Sequence, residues 1–509
     1  MTEAAPSRQW LAIALGVVFA FGLTRLWVLE GRWFVIAILA IALISVSMMF
    51  AGRLSETLLI VLLFAIPLAG FTKWLIPDSY PEFIKNAAPT GGALSIGLID
   101  FIVAGLYITW AFRVFVLREG LREGLRKDLR QARPVGWEAA DGWVALLVAA
   151  TFFSLWGAED LALGIGALEH VVKHALIYVY VSRHFKREHL PWFLAAIALA
   201  ILMQASVGII QNRFGLLRGL IFDKGAGGEL LNYQYTVPGI EDLDRATGTT
   251  YDSHAFGLYV AMLVPYAFVF LYMRKLAWPL RLSCLLLLAF GLVTVVLSYS
   301  RSAWLACPIA LAVCAAGLLA WRDKYVRPSL LAAVAASVLA MPWLLGRVFE
   351  RFQTAPKDLL SARFEQYPVA WSIWQESFLF GNGAGNYMRG MYSHNMDWAY
   401  DYPVHNVLLY IAADTGLVGL VAYIGLAVVV IRSFWRLLRG QQHELARRVA
   451  LASLAAFVAY LFDGISDPLF REPVVYMMFW VLVAIAVASK REQARDSTPQ
   501  AIGTAVAAT

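Results

Sequence analysis

The sequence has few cysteines and few charged residues for its length. Only three of its 509 residues are cysteines, and all three fall inside apolar runs. This pattern offers neither a disulfide framework nor metal-ligand spacing, so no metal site is predicted. Charged residues make up 15% of the chain against 60% hydrophobic residues, which excludes an ordinary soluble protein. The lipid bilayer is therefore predicted to be the solvent of this chain.

Long apolar runs account for most of the sequence. The first has full membrane length and lacks a small-residue cleavage site, so we interpret it as a spanning helix and not as a cleaved signal peptide. The sequence predicts an all-α polytopic membrane protein, with one transmembrane domain over residues 1–489 and a disordered tail over 490–509. Fourteen spans of about 20 residues each are predicted at 10–29, 33–51, 55–76, 92–116, 137–156, 160–182, 190–212, 254–273, 282–298, 302–321, 329–346, 404–431, 449–463 and 473–489.

The distribution of Lys and Arg predicts the orientation. With a cytoplasmic N-terminus and alternating spans, the cytoplasmic segments hold 25 Lys or Arg, whereas the five short external loops hold four. This bias follows the positive-inside rule, and it explains the net charge of +7 without a nucleic-acid partner. Both termini are therefore predicted to be cytoplasmic. Two long segments, about 213–253 and 347–403, fall outside, where long loops commonly carry function.

Two arginines lie beside predicted spans on the external side. Arg301, in "LSYSRSAWLA", occupies a turn of a few residues, where a guanidinium needs a partner such as phosphate. Its alternative is snorkelling to the interface. Arg245, in "RATGTTYDS", precedes a span, and Gly248 with its threonine neighbours predicts a tight loop whose backbone amides face an anion. The alternative for Arg245 is an ion pair with Asp242 or Asp244.

The second long loop contains an aromatic stretch and ends at a histidine. From Arg363 onward, in "ARFEQYPVAWSIWQESFLFGNGAGNY", aromatic residues recur at offsets of three and four, which predicts a helix in the outer membrane interface. The glycines of "GNGAGN" end this helix; they are not a dinucleotide fingerprint, because no strand precedes them. His405 and Asn406 then stand where the chain enters an apolar run, which is an unusual position for an imidazole.

The sixth predicted span carries a polar patch inside the bilayer. It contains Glu169, His170, Lys173 and His174. Glu169 and Lys173 are four residues apart, which favours an intrahelical ion pair. We assign no chemistry to this patch.

Taken in order, the motifs resemble one family. "RATGTTYDS", "LSYSRSAWLA", the aromatic and glycine-rich stretch, and "HNVLLYIAADTGLVGLVAYIGL" cover roughly residues 240–435. They are similar to the O-antigen ligase and Wzy-type polymerase superfamily of bacterial envelope glycan transferases. A compatible pair of closing spans surrounds "FDGISDPLFREP". The combination of motifs is typical of the superfamily but separates its members poorly.

The resemblance implies an inverting, metal-independent transferase of the GT-C type that uses no cofactor. Its donor would be a glycan on undecaprenyl diphosphate, presented at the periplasmic face of the bacterial inner membrane. In such enzymes two arginines hold the diphosphate and a histidine activates the acceptor hydroxyl; the matching residues are Arg245, Arg301 and His405. The neighbouring residues expected to bind substrate are Arg363, Asn406, Tyr299 and Ser300.

The implied chemistry agrees with the residue types. Departure of a lipid diphosphate concentrates negative charge, which preorganised arginines stabilise, and a neutral imidazole is a suitable base for a sugar hydroxyl near pH 7. One position departs from the family pattern. The family often has an Asn a few residues after the Gly of the first motif, whereas Ser253 and His254 occupy that region here.

Several activities remain open at this stage. A polymerase of O-antigen or exopolysaccharide repeats is favoured, because fourteen spans are commoner among polymerases than among ligases. The alternatives are an O-antigen ligase to lipid A-core, a protein O-oligosaccharyltransferase and a transporter or flippase. The unusual charges cluster on the outer face and no internal repeat is visible, which disfavours a transporter. The implied partners are the lipid-linked donor, a glycan or lipid A-core acceptor, the bilayer and a chain-length regulator.

Overall fold

The protein is built almost entirely of helices in the part of the chain that the structure describes. The computed structural model describes residues 54–75, 94–115, 137–217, 236–237, 240–250, 252–321, 327–328, 357–394, 403–440 and 443–506. The helices are α1 (Leu54–Ala65), α2 (Leu98–Phe115), α3 (Ala139–Ser154), α4 (Leu161–His184), α5 (Leu190–Phe214), α6 (Ser253–Leu271), α7 (Trp278–Leu297), α8 (Arg301–Ala320), α9 (Lys357–Glu376), α10 (Tyr387–Ser393), α11 (Val407–Gly440), α12 (Glu444–Asp463) and α13 (Pro473–Val506). Two small antiparallel hairpins pair β1 (Thr72–Leu75) with β2 (Leu94–Gly97) and β3 (Thr236–Val237) with β4 (Ile240–Asp244).

Nine helical segments of the described residues are long and apolar enough to cross a membrane. The prediction of an all-α polytopic membrane protein is therefore confirmed. The predicted spans at 10–29, 33–51 and 329–346 lie outside the described residues. The nine segments are Ala139–Gly157, Leu161–His184, Arg187–Phe214, Ser253–Leu271, Trp278–Leu297, Arg301–Ala320, Val407–Gly440, Glu444–Asp463 and Pro473–Ala494.

The predicted spans at 55–76 and 92–116 are shorter helices than expected. α1 stops at Ala65, and the chain continues as a single 3₁₀ turn over Ile66–Leu68. Pro67 explains this end, because proline lacks an amide donor and clashes with the preceding helical turn. The chain then forms the β1–β2 hairpin, in which Thr72 lies opposite Gly97, before α2 begins. The apolar pattern alone did not predict this hairpin.

α6, α12 and α13 form the centre of the bundle. In the membrane-length portions of α6 and α13, 89% of the residues are buried inside the protein. In that of α7, only 17% are buried. Phe457 of α12 and Phe479 of α13 stack with their ring centroids 5.6 Å apart, and both are fully buried. This packed centre fixes the relative positions of the helix ends.

The last helix extends beyond the predicted membrane boundary. α13 runs from Pro473 to Val506 and so passes residue 490, where the tail was predicted to begin. Lys490 pairs with Glu138, and Arg491 Nη2 lies 3.1 Å from Asp141 Oδ2. These contacts hold the first turn of the tail against α3 and the residue before it.

Candidate active site

Arg301 is the first residue of α8. α7 ends at Leu297, and the intervening turn contains Tyr299, whose φ of 50° is the left-handed conformation that non-glycine residues rarely adopt. Ser300 is fully buried, and its Oγ accepts a hydrogen bond from the amide of Ala303 at 3.3 Å, which caps the helix. The predicted short turn is therefore present. It places a half-buried guanidinium at the positive end of a helix, where an anion is favoured.

The loop that carries Arg245 packs against this turn. The amide of Ala246 donates to the carbonyl of Leu297 at 3.1 Å, and Arg245 itself is 7% exposed. The structure thus brings the segments of Arg245 and Arg301 together. β4 ends one residue before Arg245.

Two buried glutamines of α5 hold the backbone of the same loop. Gln211 Oε1 accepts from the amides of Thr247 at 2.9 Å and Gly248 at 2.7 Å. Gln204 Oε1 accepts from the amide of Thr249 at 3.0 Å. The prediction that these amides face an anion is wrong, because they are already used by the two glutamines.

His254 lies beside Ser300 in the first turn of α6. Its Nδ1 is 3.2 Å from Ser300 Oγ and 3.1 Å from Asp467 Oδ2. Asp467 belongs to the segment between α12 and α13 and is 5% exposed. The region where the family often has an Asn therefore holds a histidine that contacts two other segments.

His405 and Asn406 form the N-terminal cap of α11. Asn406 Oδ1 accepts from the amide of Leu409 at 3.1 Å, as an N-cap residue does. His405 Nδ1 lies 3.1 Å from Gln366 Oε1 on α9. The Tyr367 hydroxyl donates to the carbonyl of His405 at 3.3 Å. The ring and the backbone of His405 are both positioned by the helix that the aromatic stretch was predicted to form.

α9 also carries the predicted ligand Arg363. Arg363 lies on this helix three residues before Gln366, and the helix ends at Glu376, before the glycines, as predicted. Phe364 and Trp371 on α9 are exposed. The backbone of Arg363 is thus one helical turn from the partner of His405.

Residues 464–467 connect the two halves of the site. The amide of Val407 donates to the carbonyl of Gly464 at 2.8 Å, and Asn406 Nδ2 donates to the carbonyl of Ile465 at 3.4 Å. Two residues later, Asp467 meets His254. The segments of His405, Arg301 and Arg245 therefore adjoin at one end of the bundle.

The glycine-rich segment inserts into a break in α11. Gly416 has a φ of 70° and interrupts the helix. The amide of Leu417 donates to the carbonyl of Phe378 at 2.9 Å, and the amide of Asn382 donates to the carbonyl of Ala413 at 2.8 Å. A Cβ at Gly381 would lie 2.6 Å from the backbone of α11, so only glycine fits there. Residues 378–385 replace the helical hydrogen bonds that the break removes.

A buried ion pair joins this break to the segment before α13. Arg471 Nη2 lies 2.9 Å from Asp414 Oδ2, and both side chains are buried. Asp414 Oδ2 also accepts from the amide of Gly385 at 3.1 Å. Burial acts to lower the pKa of the Arg471 guanidinium, but the carboxylate of Asp414 together with Tyr410 and Tyr476 outweighs it, and the pKa is raised. Arg471 is therefore a structural cation whose guanidinium is buried against Asp414.

Several helices begin at this end of the bundle, among them α6, α8, α11 and α13. Their positive ends attract anions. Asp252 caps α6 by accepting from the amide of Ala255 at 2.7 Å, and Glu472 caps α13 by accepting from the amide of Val475 at 2.9 Å. Burial raises the pKa of the Asp252 carboxyl, although His254 beside it acts in the opposite direction.

The polar patch of α4 is paired within the protein. Lys173 Nζ lies 3.0 Å from Glu169 Oε1 and 3.1 Å from Asp100 Oδ1. His170 Nε2 lies 3.1 Å from Ser95 Oγ on β2. The predicted intrahelical pair of Glu169 and Lys173 is confirmed.

Four residues of this region were not predicted from the sequence. Gln204 and Gln211 are seven residues apart in an otherwise apolar span, and this spacing could have indicated a polar face directed at another segment. Gln366 and Asp467 lie in polar surroundings and gave no comparable signal.

The comparison with known families covers most of this site. The family model described as O-antigen ligase (Wzy_C) matches residues 282–424. The matched range includes the turn at Arg301, helix α9 and the cap formed by His405 and Asn406, whereas Arg245 precedes it. No curated protein matches the chain. Residues 282–424 are therefore similar to the O-antigen ligase family, and the predicted resemblance to the O-antigen ligase and Wzy-type superfamily is confirmed.

Proposed function

We propose that the protein is an inverting, metal-independent glycan transferase of the GT-C type. Its donor is an oligosaccharide or polysaccharide on undecaprenyl diphosphate, and its acceptor is a sugar hydroxyl. The observation that carries this proposal is the meeting of the segments of Arg245, Arg301 and His405 at one end of the bundle, although 160 residues separate the first from the last. The O-antigen ligase family match supports glycan transfer as the general activity.

The arginines are assigned to the diphosphate. Arg301 combines a planar set of five donors with the positive end of α8, and this pairing suits a phosphate that gains negative charge as the glycosidic bond breaks. Arg245 is buried beside the same turn. Arg363, Asn406, Tyr299 and Ser300 are assigned to substrate binding around these groups.

His405 is assigned as the general base. The oxygen of the Gln366 amide can only accept, so at 3.1 Å it selects the tautomer with hydrogen on Nδ1 and leaves the lone pair on Nε2. Nε2 takes the proton of the acceptor hydroxyl. The acceptor oxygen bonds to the anomeric carbon from the opposite side as the bond to the diphosphate oxygen breaks. The diphosphate keeps that electron pair, so one attack inverts the configuration.

The site is proposed to open to the periplasm. The Lys and Arg bias supports cytoplasmic termini, and with alternating spans the starts of α6, α8, α11 and α13 would then lie outside. The lipid tail of the donor remains in hydrocarbon while its diphosphate reaches the arginines, which requires a site at interfacial depth. The protein would thus act in the bacterial inner membrane.

Polymerisation of O-antigen or exopolysaccharide repeats is the favoured reaction, and ligation to lipid A-core is the alternative. Native lipid-linked donor, incubated with purified protein with and without lipid A-core, separates them. A product that lengthens without lipid A-core supports the polymerase, whereas a product that forms only with lipid A-core supports the ligase. Net movement of donor across vesicles without transfer would indicate a flippase.

The central test is His405→Ala in the purified protein. Loss of a general base is expected to lower the transfer rate about a hundredfold or more. His394→Ala is a matched control, because His394 lies on the same long loop and contacts Glu376 at 3.1 Å. Wild-type transfer by His405→Ala would refute the assignment, provided that the thermal unfolding of both variants matches wild type.

A further inference from the structure

His254 occupies a constrained position next to the turn of Arg301. Its Nδ1 lies 3.2 Å from Ser300 Oγ and 3.1 Å from Asp467 Oδ2. The Asp467 side chain is 7% exposed, whereas that of His254 is 29% exposed. The ring is therefore held at Nδ1 by two neighbouring segments, and part of its side chain remains exposed.

The geometry excludes a serine nucleophile activated by this histidine. In such a triad the carboxylate contacts one ring nitrogen and the serine contacts the other. Here Ser300 and Asp467 both meet Nδ1. Both of these ring contacts of His254 use Nδ1, so Nε2 is the ring nitrogen directed away from Ser300 and Asp467.

The neighbours of His254 are acidic on its buried side. Asp467 faces it from the segment before α13, and Asp252 stands two residues earlier at the cap of α6. Ser300, its third neighbour, directly precedes Arg301 on α8. A ligand bound at the Arg301 guanidinium therefore lies close to the exposed edge of the His254 ring.

We infer that His254 is a third ligand of the donor diphosphate, with Asp467 as its positioning residue. This inference rests on the proposed function. With the Asp467 carboxylate at Nδ1 and the diphosphate at Nε2, the ring lies between two anions. They stabilise the imidazolium, which donates a hydrogen bond from each nitrogen. His254 thus adds a charged donor to those of Arg245 and Arg301.

A purely structural role is the competing explanation. His254 could serve only to join α6 to the segment before α13. The two roles differ in how His254 and Asp467 combine, because a positioning residue acts through the residue that it positions. Removing Asp467 after His254 should then have no further effect on ligand binding.

The test measures binding of undecaprenyl diphosphate to purified full-length protein in detergent. His254→Gln should weaken binding about tenfold or more, because a hydrogen bond to a charged group is lost. Asp467→Asn should weaken it less, and the double variant should bind no more weakly than His254→Gln. His394→Gln is the matched control, since His394 uses both ring nitrogens within its own loop, and it should bind like wild type.

The outcomes separate this inference from the proposed function. Failure of the wild-type protein to bind undecaprenyl diphosphate would overturn both. Two outcomes would overturn only the role of His254. In the first, the wild-type protein binds the ligand and His254→Gln binds it equally well; in the second, the losses of affinity add in the double variant. If His254→Gln does not fold, Asp467→Asn with wild-type affinity overturns the inference on its own.

Discussion

Gln366 provides the most specific test of the catalytic assignment, because it acts on one nitrogen of His405. Its side chain is 1% exposed, and its amide oxygen lies 3.1 Å from His405 Nδ1. Gln366→Leu removes the acceptor while nearly keeping the volume. The imidazole of His405 then loses the contact that keeps the hydrogen on Nδ1 and the lone pair on Nε2. Gln366→Glu keeps an acceptor at the same position.

The size of the effect follows from the contact that is lost. A single buried hydrogen bond contributes about 0.5–1.5 kcal/mol, which corresponds to roughly a two- to tenfold change in rate if it acts only in orienting the base. Gln366→Leu should therefore lower kcat by about that factor. This loss is far smaller than the hundredfold or greater loss expected for His405→Ala. Gln366→Glu should retain activity near wild type.

The assay is kcat at saturating donor and acceptor, with thermal unfolding measured in parallel. Tyr367→Phe is the control, because it removes the hydrogen bond to the His405 carbonyl and leaves the ring contact intact. It should retain kcat near wild type. The reasoning would be refuted if Gln366→Leu kept full activity, or if Gln366→Glu were impaired as much as Gln366→Leu.

Three further predictions use other parts of the molecule. Arg301→Lys should be nearly as impaired in transfer rate as Arg301→Ala, because an ammonium cannot make bidentate phosphate contacts. Full activity of the Lys variant would mean that Arg301 contributes only its positive charge. Arg471→Met should lower the free energy of unfolding by about 3–5 kcal/mol, because it leaves Asp414 charged and buried. Adding Asp414→Asn should restore most of this loss in thermal unfolding; an unimproved double variant would contradict the pairing. A cysteine at exposed Ser393 should react with an impermeant maleimide in spheroplasts, whereas one at exposed His443 should not. The reverse labelling would show that the proposed orientation is wrong.

Sequence reasoning predicted the features that depend on composition and local pattern. The apolar runs predicted α3 to α8 and α11 to α13, since twenty apolar residues have few alternatives to a spanning helix. The short turn at Arg301 and the end of α9 before the glycines followed from local residue types. These features need no knowledge of distant contacts.

The features that the sequence did not predict depend on distant segments. The amides of Thr247 to Thr249 were expected to face an anion, but two glutamines about forty residues earlier accept their hydrogen bonds. Asp467 meets His254 across more than two hundred residues. Pairings of this kind arise from helix packing, which apolar periodicity does not encode.

The break in α11 has a consequence for insertion into the membrane. While α11 enters the bilayer, backbone groups around Gly416 have no helical partners, and in hydrocarbon each such group is costly. Their partners come from residues 378–385, roughly thirty residues earlier in the chain. That segment is synthesised first, so it can already be in place when α11 adopts its final position. Residues 378–385 are thus a requirement for the final position of α11, and deleting them should prevent α11 from reaching it although every apolar run is retained.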